Sequence, residues 1–298
     1  MEPAALSCTS TGPVAAGARG ATLDEMRQVL HFTLPQPKID EGFNWLQAEL
    51  AARVAEGLAM LPPAERDASS MELDFVTLAY AQDELILEPP FLDTLSTQYD
   101  TGIRFVDFAG DPEGARQAIN DCVDYHTSHR IVDFLPPEAI GSGILLVVVN
   151  ALNLAVPWEV PFEESSTGQA SFTKLDDSTM AVTMMRHMQS LPYAATADLQ
   201  AAALPLLGGK LEAVIVVPAQ GRFHDVEASL DGAGLESLRS SFVSTFLAIE
   251  LPKFRFTSET LDLIPALEAL GMAMAFGGGD FSGISPGDMV VVFVQHKT

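Results

Sequence analysis

A mixed α/β fold, with helices packed on strands that are covered from both sides, is what this sequence predicts. Three observations predict it. The run Ile144–Val149 is aliphatic and largely β-branched, and it lacks polar alternation, the pattern of a strand buried on both faces. Phe43, Leu46, Leu50, Val54 and Leu58 recur at helical spacing and stop at Pro62-Pro63, which marks an amphipathic helix. Two strand-like runs meet at Gly208-Gly209, a hairpin bend. At 298 residues and 48% hydrophobic content, the chain can bury a sizeable core and does not belong to the disordered class.

The elements follow in order. Met1–Gly20 is small and polar, and Gly12-Pro13 is expected to break any helix there. Thr22-Leu23-Asp24-Glu25 reads as a capping box ahead of an apolar stripe of Met26, Val29 and Leu30; Pro35 and Pro37 stop that helix. Beyond the 43–58 helix, Leu73–Ala81 and Ile103–Phe108 read as strands. Asp111–Asp133 reads as a helix, Asp111 being the N-cap and Pro112 its first residue. Ala115, Ala118, Ile119, Cys122, Val123 and His126 share one of its faces. Asn150 interrupts the central strand. A buried primary amide needs partners, so it either fastens the strand to a neighbour or lies where the sheet opens. Pro157 and Pro161 end the ladder, with Trp158 between them. Phe223–Phe242 reads as short helices and Leu247–Phe256 as a strand. Leu261, Ile264, Leu267 and Leu270 form a helix closed by Gly271, and Met289–Val294 is a last buried strand.

Charge and composition exclude several functions. Forty acidic against 16 basic residues give a net charge of −24, which argues against nucleic acid and anionic membranes as partners. Two cysteines, Cys8 and Cys122, rule out a disulfide framework. No stretch has the length and apolarity of a membrane span, and the N-terminus does not resemble a signal peptide. Gly283-Ile284-Ser285-Pro286-Gly287 fits the spacing of a nucleophile elbow, but Pro286 lacks the N–H that an oxyanion hole needs, so a turn is expected. Cys122, His126 and His129 have helical spacing suited to a metal, yet no fourth ligand is in view; a packed thiol and a satisfied histidine are the expectation. Gly277–Gly279 is not a dinucleotide loop, and Gly209-Lys210 is followed by leucine, so it is no P-loop. No catalytic constellation, cofactor site or metal site is predicted.

NALNLAVPWEVPF, spanning Asn150–Phe162, resembles the serpin pattern in central strand 3 of the large sheet A. Further stretches resemble serpin segments in family order: GARGATLDEMRQVLHF, FLDTL…Y…G…VDF, ARQAINDCVDYHTSHRIVDFLP, VTMMRHM, LEAVIVVPAQGRF, LPKF and AFGGGDFSGIS. The resemblance covers about Gly17 to Lys297, and it implies a large central sheet A carrying helices, with smaller B and C sheets. In the helix that lies across sheet A, the family has a tryptophan where this chain has Cys122. The resemblance implies a single serpin-like domain over 1–298, incomplete, without the first helix, the reactive-centre loop or the C-terminal core strands. It also implies a serine protease as partner, an extracellular setting and no enzymatic activity. Asn150, Trp158 and His296 match family positions at the shutter and breach, where sheet A parts to admit a strand. The implied function is a serine-type endopeptidase inhibitor, not expected to inhibit as this chain alone. The alternative is a non-inhibitory strand- or peptide-binding module. Self-association through an open sheet edge is expected, because Met289–Val294 and Val214–Val217 are β-branched runs with no proline or inward charge.

Overall fold

The computed structural model describes residues 4–63, 71–254, 261–287, 289, 291 and 295–296. The chain folds into two compact units. One comprises Glu2–Ala51, Leu73–Leu154 and Thr257–Thr298; the other comprises Ala52–Glu72 and Ala155–Phe256.

The first unit is built on a three-stranded sheet ordered β2-β1-β3, from β1 (Glu72–Gln82), β2 (Ile103–Val106) and β3 (Leu146–Ala155). β1 and β2 run parallel, Ala79 opposite Ile103 and Gln82 opposite Val106. Successive side chains of β3 point to opposite faces. Val147, Val149 and Ala151 enter one apolar cluster with Val76, Leu78 and Tyr80 of β1. Leu146 and Val148 pack against a second, which holds Ala79. The unalternated run is thus covered on both faces, as its composition predicts.

Helix α5 (Pro112–His126) covers the first face with Ala115, Ile119 and Val123. Asp111 caps it, accepting from the Gly114 amide at 2.9 Å. The helix ends at His126, short of the predicted Asp133. Buried Thr127 turns its hydroxyl back to the Val123 carbonyl (2.8 Å) and accepts from the Ile131 amide (3.1 Å). Ser128 and His129 then take positive φ, which helical geometry forbids. Ala118, predicted on the buried face, is exposed.

The second face is covered by α1 (Ala4–Gly17), α2 (Gly20–Val29) and α4 (Pro89–Gln98), with Met272, Ala275, Phe281, Ile284 and Met289. Helix α3 (Gln36–Met60) follows α2. The structure corrects the reading of 1–20: Gly12-Pro13 sits inside α1. The small residues there serve packing. A Cβ on Gly12 would meet the Tyr99 hydroxyl at 2.8 Å, and one on Gly17 would meet Ile284 at 2.0 Å. Tertiary burial of this face outweighs the cost of glycine and proline within a helix. The capping box is a second correction. The α2 N-cap is Arg19, with no side-chain cap bond. Thr22 Oγ1 instead accepts from the Asp280 amide (2.8 Å), and Glu25 Oε2 accepts from the Met274 amide (2.8 Å).

Leu261–Asp262 is a short strand, β9, and the helix α8 that follows is only Ile264–Ala269; Gly271, at φ 109°, closes it. β9 pairs antiparallel with β10 (Gln295–His296). Of the predicted strand Met289–Val294, Met289 is buried and Val291 packs beside it. Residues 290 and 292–294, like Arg255 and Phe256 of the Leu247–Phe256 strand, lie outside the described residues.

The second unit carries a sheet ordered β4-β5-β6-β7, with β8 also on β5. These are β4 (Gly168–Thr173), β5 (Thr179–Ala195), β6 (Leu199–Pro205), β7 (Glu212–Pro218) and β8 (Val243–Pro252). β5 is long enough to pair antiparallel with three strands in turn: β4 along its first third, β8 from Met184 to Tyr193, and β6 at its end. The predicted hairpin joins β6 to β7, with Gly208 and Gly209 both at positive φ. Helices α6 (Phe223–Ser229) and α7 (Gly232–Ser240) match the predicted short helices.

Candidate strand-acceptance site

Asn150 stands midway along β3, and its Nδ2 donates to Thr77 Oγ1 of β1 at 3.1 Å. Thr77 is buried. The amide fastens β3 to its neighbouring strand. A neutral bond of this kind contributes about 1 kcal/mol, and a stranded partner costs about 1–3 kcal/mol. Among the described residues, β3 is bonded to β1 on one side only, and β10 to β9 on one side only.

α5 lies over this sheet through a polar contact at its edge. Arg104, on β2, donates from Nη1 to Tyr80 Oη (3.1 Å) and to the Cys122 thiol (2.6 Å). Its guanidinium lies 5.8 Å from the Tyr80 ring centroid. Burial first, then the Cys122 neighbour, pushes the Tyr80 phenol up to about 12. Cys122 therefore joins helix to sheet where the family's tryptophan would supply bulk. His129 is held by Asp124 (Nδ1 to Oδ2, 2.7 Å), and His126 packs edge-on to Tyr125. The three side chains with metal-like spacing thus go to three separate partners.

Trp158 lies in the second unit. Its backbone bridges to Leu206, while the Pro157 carbonyl accepts from Leu207 N (2.8 Å) and Glu159 N donates to the Pro205 carbonyl (2.9 Å). Glu159 Oε2 accepts from the Gly208 amide at 2.8 Å. The indole meets Phe162 edge-on at 6.0 Å, and Phe162 meets His187 of β5 at 6.2 Å. His296 forms the β10 rung opposite Leu261. Asn150 and His296 therefore belong to one unit and Trp158 to the other.

Ser285 follows a turn in which Ile284 N donates to the Phe281 carbonyl (2.8 Å); it is 3% exposed, and its Oγ accepts from the Gly287 amide at 3.5 Å. A strand–serine–helix elbow is not what surrounds it, in line with the turn expected from Pro286. Sequence reasoning missed Thr77, Tyr80 and Arg104, since each becomes informative only when strands distant in sequence are paired.

The family model described as Serpin (serine protease inhibitor) matches residues 7–298. The chain belongs to the serpin family. It is 31% identical over 283 residues to an uncharacterized serpin-like protein of Thermococcus kodakarensis, covering 95% of this chain but 62% of that relative's length. Human Serpin B3 is 27% identical over 305 residues, covering 98% of this chain and 77% of Serpin B3. The structure of emu ovalbumin superposes with a TM-score of 0.85 at 21% identity, across 99% of this chain and 77% of that one. The serpin-like, mixed α/β fold is thereby shown. The serpin family is one of protease inhibitors rather than enzymes. No helix among the described residues is long and apolar enough to cross a membrane.

Proposed function

We propose that residues 1–298 form the strand-accepting scaffold of an extracellular serpin-type inhibitor of serine proteases, without enzymatic activity of their own. The observation that carries this is β3. It is covered on both faces, clamped to β1 through Asn150–Thr77 and, among the described residues, hydrogen-bonded on one side. A strand so placed offers backbone donors and acceptors to an incoming extended segment. Asn150, Trp158 and His296 would gate that entry, by resemblance to the shutter and breach of the family. The stretches that match serpin motifs run to His296-Lys297, and none within 1–298 matches a bait segment. These residues by themselves are therefore proposed to receive a strand rather than to trap a protease, which also makes them a strand-binding module.

The test mixes the 298-residue chain with trypsin-, chymotrypsin- and subtilisin-like proteases, with and without a synthetic Ala/Thr-rich peptide. No adduct stable on denaturing gels is expected from the chain alone, and the peptide should raise its Tm. A persistent acyl adduct, or a Tm indifferent to saturating peptide, would overturn the reading.

A further inference from the structure

A cavity of about 410 Å³ opens between α3 and α4, within the first unit and apart from the strand-accepting sheet. At its wall stands Asp40, 4% exposed. Its two hydrogen bonds, from Tyr99 Oη (2.7 Å) and Gln36 Nε2 (2.9 Å), both end on Oδ1. Gln36, one turn earlier on α3, also lines the cavity; with its Nε2 committed to Asp40, its Oε1 is buried without a partner. Asp93 of α4 adds a second, exposed carboxylate. The wall thus presents three acceptors: the second oxygen of Asp40, the buried amide oxygen of Gln36 and the Asp93 carboxylate. Arg19 also stands on this wall, and Lys38 lies beside it on α3. Arg19 Nη1 donates to the Ala16 and Ala18 carbonyls at 2.9 and 2.8 Å, and Lys38 pairs with Glu41. The remaining wall is apolar, from Pro37, Pro90 and buried Phe91.

A buried acceptor left without a donor is unfavourable, and a ligand that supplies N–H groups relieves it. We propose that this cavity binds a small aliphatic amine in its ammonium form. The –NH₃⁺ group donates to Asp40 Oδ2 and Gln36 Oε1, and the methylene stem lies along Pro37, Pro90 and Phe91. A diamine of about four carbons places its second ammonium near Asp93. An ammonium carries three donors and no acceptor, which is the complement of this wall. Neutral alcohols and anions lack that match.

The experiment titrates the whole chain with 1,4-diaminobutane by calorimetry at 0.15 and 0.5 M NaCl, with 1,4-butanediol as the uncharged control. One saturable site is expected at both salt concentrations, with none for the diol. Asp40→Asn should weaken binding at least tenfold. Thr94→Leu, which fills the cavity from α4 without touching Asp40, should do the same and serves if Asp40→Asn does not fold. Surface Asp176→Asn should leave the affinity within twofold. Absence of saturable binding, or affinity unchanged in Thr94→Leu, overturns the proposal. So does weak multisite binding that vanishes at 0.5 M NaCl, the behaviour of amines condensed on an anionic surface.

Discussion

Asp40 shows how one buried group sets a pH response. Burial raises its carboxyl above the usual 3.8, and its hydrogen bonds from Tyr99 and Gln36 only partly counter that. The folded state then binds the proton more tightly than the unfolded state. Stability from this group is present at low pH and is lost as pH rises from 3.8 through the folded value. Asp40→Asn should therefore flatten the decline of unfolding free energy across that window, read from urea midpoints at successive pH values. An unchanged slope contradicts the assignment. Glu113 has the opposite sign. Its hydrogen bonds from Arg116 and Gln117 hold it down to about 2, so whatever it contributes is present above the usual 4.5 and fades as pH falls toward 2. Asn150→Ala strands Thr77 in the sheet and should cost about 1–3 kcal/mol. Trp158→Ala deletes the indole that packs edge-on against Phe162 and should cost about 1–4 kcal/mol, reduced from a full core value by its partial exposure. Equal denaturant midpoints for wild type and either variant would contradict these placements.

Among the elements, the β6–β7 hairpin makes the sharpest demand. Gly208 has φ 87°, and a Cβ there would meet Gly57 Cα of α3 at 2.4 Å. Turn geometry and a close backbone approach therefore require glycine at the same residue. Gly208→Val should cost about 2–4 kcal/mol through strain and clash, whereas Gly209→Asn, at φ 64° with open space around it, should cost well under 1 kcal/mol. Thermal unfolding of both variants checks this; a Gly208→Val protein as stable as Gly209→Asn refutes the contact. α1 makes a gentler version of the point, since glycine and proline survive inside it where Tyr99 and Ile284 press against the backbone.

On the scale of the whole molecule, the net charge of −24 acts against the sheet edges. Among the described residues, β7 pairs with β6 alone and β8 with β5 alone. Val217 on β7 is 58% exposed, and Val243 and Phe246 on β8 are 67% and 64% exposed. Unpaired edges with exposed apolar residues are templates for another chain. Mutual repulsion opposes this until salt shortens the Debye length, to about 3 Å at 1 M. Self-association of the 298-residue chain should thus rise with ionic strength, and an Ala/Thr-rich peptide should reduce it if β3 is the edge involved. Light scattering over a salt series decides this, and a monodisperse monomer at 1 M NaCl, with or without peptide, refutes it.

The sequence by itself determined those features that rest on local rules. The unbroken aliphatic run at 144–149 dictates a strand covered twice, glycines at 208–209 dictate a hairpin with positive φ, and Asp111-Pro112 dictates a helix start. The ordered run of short motifs also carried the serpin family, because order along a chain survives substitution at single positions. Tertiary structure decided the rest, because it turned on partners far apart in sequence. Thr22 and Glu25 fit a local cap, yet residues 274–280 offered their amides and took both side chains. Gly12-Pro13 fits a break, yet Tyr99 needed a thin helix to lie against. The α5 helix fits a length reaching Asp133, yet Thr127 found the Val123 carbonyl and turned the chain. Asn150 reads in the sequence as an amide in need of partners, and only the arrival of Thr77 across 73 residues supplied one. Propensity favours the cap and the longer helix by about a kilocalorie and the break at Pro13 by about 3 kcal/mol, and buried contacts, summed over each face, reverse it.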